Sequence, residues 1–167
     1  MSPKADADRA IRPSVLDRLI DLDPSVSVDT PGSWGQSVRQ LKAGLCRDLE
    51  WLLNSRRTLI DIPEDCEYLK SSVLNYGIID VSSLLRDSRE HKSMLVREVT
   101  HAIQVFEPRL DQVKVSLVTD DGTDATKRVI HFVVEGLLRI DPQPEHVVFD
   151  TVLDATSGDY VVRSEGA

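Results

Sequence analysis

The chain has 167 residues, 41% of them hydrophobic, with 28 acidic against 20 basic side chains and a formal net charge of -8. That length supports one core and one domain, and the acidic excess opposes non-specific attraction to nucleic-acid phosphates. Its two cysteines, Cys46 and Cys66, make no disulfide framework, and neither has a second cysteine or a histidine at metal-ligand spacing, which fits a reduced cytosolic setting.

Residues 1–12 scatter Lys4, Asp6, Asp8 and Arg9 among small residues, lack the apolar core of a signal peptide and read as a disordered tail. A single domain then spans 13–162, ahead of a C-terminal tail at 163–167. Its first element is a short amphipathic docking helix at 13–22, opened by Pro13 and closed before Asp23-Pro24. Ser33 with Gln36 forms a capping box for a second helix, whose apolar stripe of Val38, Leu41, Leu45, Leu49, Leu52 and Leu53 runs to about Asn54. From 58 to 90, Pro63 and Tyr76-Gly77 among short apolar clusters predict a loop with helical turns. Asp87 and Glu90 offer another capping box, and Leu95, Val99, Ala102, Ile103 and Phe106 continue as one helix face.

After Pro108 the hydrophobic period falls to two. Val113, Val115 and Leu117 alternate with Lys114 and Ser116 as a half-buried strand, and Asp120-Asp121-Gly122 marks a reversal. From 130 to 140 the even positions Ile130, Phe132, Val134, Leu138 and Ile140 form one apolar face, opposite His131, Glu135 and Arg139. A third strand carries Val147, Phe149, Thr151 and Leu153, and a turn at Thr156-Ser157-Gly158-Asp159 leads into Tyr160-Val161-Val162, a candidate sheet edge. The expected fold is α+β, with N-terminal helices packed on a small antiparallel C-terminal sheet. The longest nearly apolar run, Val129 to Leu138, is far shorter than the roughly 20 residues that span a bilayer.

Within this pattern the run Phe106-Glu107-Pro108-Arg109-Leu110 sets opposite charges on either side of a proline where a helix must stop. The corner is either a local ion pair, contributing about 0–1 kcal/mol if exposed, or a charged handle for a partner. No glycine-rich phosphate loop, dinucleotide fingerprint, paired-histidine zinc helix or serine nucleophile elbow is present. His91, His101, His131 and His146 are dispersed and read as surface or sheet-face residues. A peptidoglycan-cleaving hydrolase would need Glu107 as acid with Asp111, Asp120 or Glu135 as its partner. Such an acid must keep its proton near neutral pH, whereas the Arg109 guanidinium favours the ionised form. Only 5% of the chain is aromatic, few platforms for a sugar. No catalytic residue, metal ligand or cofactor is assigned.

Placed between a helix and a strand, the Phe106-to-Leu110 run resembles the Glu-Pro-Arg signature of phage-tail baseplate wedge proteins, historically labelled "lysozyme-like". Further stretches are similar to the TssE proteins, the type VI secretion branch of that family. They are Pro13 to Leu19 followed by Asp21, Arg47 to Arg57, Ser72 to Gly77, and Pro144 to Val162 with Phe149-Asp150-Thr151 and the Ser157-Gly158 turn. The likeness covers about residues 13–162, with one departure: a Gly-Leu-Pro step common in the family reads Gly77-Ile78-Ile79.

The resemblance implies a structural baseplate subunit of a contractile injection machine, not an enzyme, in the bacterial cytoplasm near the inner membrane. It implies a fold similar to the interlocking part of sheath subunits, and a role in starting sheath polymerisation by strand exchange. Glu107, Pro108 and Arg109 would help hold the subunit to the wedge proteins TssF and TssG, with TssK nearby and TssB and TssC as sheath partners. An open edge at Tyr160, Val161 and Val162 is expected to accept a partner strand.

Overall fold

The computed structural model describes residues 14–20, 24–25, 34–58, 60–80, 89–118, 129–141 and 143–164. The two expected capping boxes, the Asp120-Asp121-Gly122 reversal, the 1–12 tail and most of the 163–167 tail fall wholly or partly outside these residues. Helix α1 is Val15–Leu19, α2 Trp34–Asn54 and α3 Arg89–Phe106. Strands β1 (Leu110–Leu117), β2 (Val129–Leu138), β3 (Glu145–Asp154) and β4 (Tyr160–Ser164) form one antiparallel sheet in chain order.

Each element follows from its apolar spacing. Leu41, Leu45, Leu49, Leu52 and Leu53 of α2 are buried at intervals of about one turn, and Leu95, Val99, Ala102 and Ile103 do the same for α3. Both helices lie on one face of the sheet, α2 along β4 and α3 along β1. Between them and the sheet, Phe132, Val134 and Leu138 of β2 meet Val147, Phe149 and Leu153 of β3 in a single core.

Two expected boundaries shift. The first helix is shorter than 13–22: Ser14 is its N-cap, accepting from the Asp17 N–H at 3.1 Å, and Ile20 is already extended. Strand β1 begins at Leu110, not Val113. Gln112 has φ 51°, and the β1–β2 register shifts between Asp111 and Lys114. This bulge adds a residue, so Leu110 and Val113 both reach the core although they are three apart.

The middle segment contains two 3-10 turns, Glu67–Ser71 and Val73–Asn75, neither with a buried residue. The segment is pinned at its base. The Arg57 N–H donates to the Ile78 C=O at 2.8 Å and the Ile78 N–H to the Ser55 C=O at 3.0 Å. Gly77 makes that approach possible: its φ is 101°, and a Cβ there would sit 2.3 Å from the Ser55 oxygen.

Candidate functional site

At the corner α3 stops where Pro108 requires, and the chain turns directly into β1. The Glu107 N–H closes the last helical turn on the Ile103 C=O at 2.8 Å, and the Leu110 N–H donates to the Glu107 C=O at 3.1 Å. Buried Glu107 turns its carboxylate onto the residue two ahead. Oε1 accepts from the Arg109 N–H at 3.2 Å and from Nε at 2.6 Å, and Oε2 accepts from Nη2 at 2.5 Å. This bidentate pair fixes the guanidinium plane. The Arg109 C=O is held from the other side by the Arg139 N–H at 2.8 Å.

The pair extends through charges 61 positions away in sequence. Arg109 Nη2 also donates to Asp48 Oδ2 of α2 at 2.6 Å. Asp48 Oδ1 accepts from Arg47 Nη2 at 2.8 Å, and Arg47 Nη2 lies 2.8 Å from Asp17 Oδ1 on α1. Three carboxylates and two guanidinium groups therefore link corner, α2 and α1 in one chain of contacts. Bonding to Glu107 raises the Arg109 pKa, against its burial and with help from Asp48, so Arg109 stays charged. Its Nη1 is buried without a hydrogen-bond partner among the described residues. Glu107, Pro108 and Arg109 border a cleft of about 420 Å³ with Trp51, Tyr76 and Phe106.

The ion chain also sets which side of α1 meets α2. Asp17 faces α2 closely enough that a Cβ on Gly44 would meet its Oδ2 at 3.1 Å, while Val15 and Leu19 are 73% and 76% exposed. Burial disfavours the Asp17 carboxylate, but hydrogen bonds from Ser14 and Arg47 outweigh that and lower its pKa below 3.8. A depressed folded pKa contributes stability above the unfolded value and loses it as pH falls through the folded one. Acidification below pH 3.8 is therefore expected to loosen α1. The chemical shifts of Leu16 and Leu19 should move toward random coil, and Asp17→Asn should show the same shifts at neutral pH.

The C-terminal strand differs from the expected open edge. β4 pairs only with β3 in the sheet, but its outer main chain is already occupied by α2. Asn54 accepts from the Tyr160 N–H and donates to its C=O, both at 2.9 Å. Glu50 Oε2 accepts from the Val162 N–H at 3.3 Å, and Cys46 Sγ donates to the Val162 C=O at 3.1 Å. Four helical residues rise about 6.0 Å and two strand residues about 6.6 Å, so side chains four apart on α2 match alternate residues on β4. Burial, reinforced by Glu50, pushes the Cys46 thiol up and keeps it a donor. Tyr160 and Val162 are buried, leaving Val161 as the exposed side chain of the three.

The opposite edge is different. The Val118 N–H donates to the His131 C=O at 2.9 Å, so Ser116 and Lys114 share its orientation while Val115 and Leu117 turn their main-chain groups away from β2. Among the described residues no strand lies beyond β1.

The carboxylates considered for hydrolysis do not converge. Both Glu107 oxygens face Arg109, exposed Asp111 pairs with Arg139 at 2.5 and 2.6 Å, and Glu135 lies on the face of β2 away from the helices. Asp120 is outside the described residues. Among those described, no group of three or more His, Cys, Asp or Glu side chains is placed to hold a metal ion.

Residues 39–143, more than half of the chain, match the family model described as baseplate wedge protein gp25. The chain belongs to the gp25 baseplate wedge family. The matched span runs from α2 through the Glu-Pro-Arg corner to the end of β2, so both ends of the Asp48–Arg109 contact lie inside the family's shared region. A solved chain described as "The baseplate complex from the type VI secretion system" is 15% identical, with a TM-score of 0.47 over 68% of this chain and 94% of that one. No curated protein matches. Members of the family are baseplate components, and no described helix is long and apolar enough to cross a membrane.

Asp17, Arg47 and Asp48 had no assigned role in the sequence, and neither had Cys46, Glu50 and Asn54. A signal existed for the second set: polar residues at a period of four, flanking the α2 apolar stripe.

Proposed function

We propose that this wedge-family protein is a TssE-type subunit of a type VI secretion baseplate, working in the bacterial cytoplasm near the inner membrane. It joins wedge subunits and starts sheath polymerisation. The observation that carries this reading is the Glu107-Pro108-Arg109 corner, tied to α2 and bordering an aromatic cleft inside the family-matched span. A corner fixed from within offers a partner one shape, at little ordering cost. TssF and TssG are the wedge proteins it would help hold, with TssK nearby.

Sheath subunits of the TssB and TssC type would add a strand to the sheet. The β1 edge suits this better than β4, because a strand added at β1 meets outward main-chain groups, whereas α2 already bonds those of Tyr160 and Val162. Val161 is then the C-terminal side chain that a partner touches. Glu107 acts as a brace and not as an acid.

The test is affinity purification of the tagged chain from cells that assemble the machine, with sheath assembly scored in parallel. Leu117→Pro removes one outward N–H and leaves the β1–β2 ladder intact, as edge strands tolerate. Wedge proteins are expected with both forms, and sheath subunits with the unsubstituted chain alone. Recovery without TssF or TssG, or normal sheath assembly by Leu117→Pro, would defeat the reading.

A further inference from the structure

We infer that the segment from Ile60 to Asn75 is a second docking surface, separate from the corner and the sheet edges, which takes a basic amphipathic segment of a partner protein. From Pro63 to Tyr76 the backbone is knitted by short-range bonds of its own. N–H groups of Cys66, Leu69, Ser72, Asn75 and Tyr76 donate three residues back, to Pro63, Cys66, Leu69, Ser72 and Val73, at 3.0–3.2 Å. The base is pinned at Ser55, Arg57 and Ile78, and the Tyr76 ring packs edge-on to Phe106 at 5.2 Å. The segment is thus a closed loop with fixed ends.

Between those bonds the segment displays large apolar side chains to solvent. Tyr68 is 92% exposed and Val73 89%, Leu69 and Leu74 are exposed on the same two touching turns, and Ile60 is exposed earlier in the segment. Scattered apolar residues on a surface need no explanation, but a cluster rimmed by polar groups marks an interaction site. The rim has one sign. Asp61, Glu64, Asp65 and Glu67 are all exposed, against Lys70 as the single cation of the stretch. An exposed tyrosine among aliphatic side chains on a rigid support is a suitable interface anchor.

That charge selects the occupant. Four carboxylates repel an anionic membrane surface or nucleic-acid phosphates, and a chain of net charge -8 repels a second copy of itself. A segment carrying lysine or arginine beside apolar residues satisfies both the rim and the centre.

The test places a photo-cross-linking benzoylphenylalanine at position 68, and separately at 73, in the full chain inside cells that build the machine; the joined peptides are then sequenced. The expected product is a partner segment in which basic residues flank apolar ones. Its yield should fall about tenfold, equivalent to about 1.4 kcal/mol, when Asp61, Glu64 and Asp65 are changed to Lys. Joining to an acidic or uncharged segment, to a second copy or to lipid would overturn the inference. So would no product at either position, or a yield indifferent to the charge reversal. Because the readout is the joined segment's composition, it stands or falls independently of the corner and of β1.

Discussion

Arg109→Ala is expected to destabilise the fold by about 3–5 kcal/mol, because it leaves the Glu107 carboxylate buried without its partner. The guanidinium meets both oxygens of Glu107 and one of Asp48, with Glu107 buried and the other two groups mostly covered. An exposed ion pair of the same sequence spacing would contribute only about 0–1 kcal/mol, so urea denaturation separates the two cases. Arg109→Lys should give an intermediate loss, since an ammonium keeps the charge but cannot make the planar two-oxygen contact with Glu107 while reaching Asp48. A loss below about 1 kcal/mol for Arg109→Ala would mean that the corner behaves as a surface pair. The charges brace the corner from within, and its outward shape is what a partner would meet.

The two long helices and three of the strands were legible because burial imposes periods of 3.6 and 2 on the chain. Leu45, Leu49 and Leu53, or Val147, Phe149 and Leu153, announce their face without help from distant residues. The start of β1 was not legible: Gln112, at φ 51°, breaks the alternation and detaches Leu110 from the strand it belongs to. The ion chain was hidden for a different reason. Asp48 and Arg109 meet through the docking of α2 on the corner, and nothing local in either stretch encodes that meeting. The corner's bounds could be read from the proline, but its electrostatics needed the tertiary fold. The closed edge of β4 arises where a helical period of four meets a strand period of two. Each period is visible separately, but their juxtaposition is not.

Tyr160 shows how far that closure changes the meaning of a residue. As part of an edge it was a candidate partner contact, but its ring is 1% exposed and packs edge-on to Phe132 at 6.0 Å. Tyr160→Ala should therefore cost about 3–5 kcal/mol, the loss typical of a large buried aromatic side chain. The hydroxyl makes an opposite prediction. It is buried with no hydrogen-bond partner among the described residues, and burial pushes the phenol pKa far up, so the hydroxyl keeps its proton. A buried hydroxyl without a partner costs about 1–3 kcal/mol. Tyr160→Phe removes the cost and keeps the ring, and should raise the thermal midpoint while Tyr160→Ala lowers it steeply. Sheath assembly in cells should be normal with Tyr160→Phe, because Asn54 bonds the main chain of residue 160 whatever its side chain. If Tyr160→Phe were instead destabilised, or failed in assembly, the hydroxyl would have a partner and the residue a contact role; a stabilised and active variant makes Tyr160 a core residue whose main chain keeps the β4 edge closed.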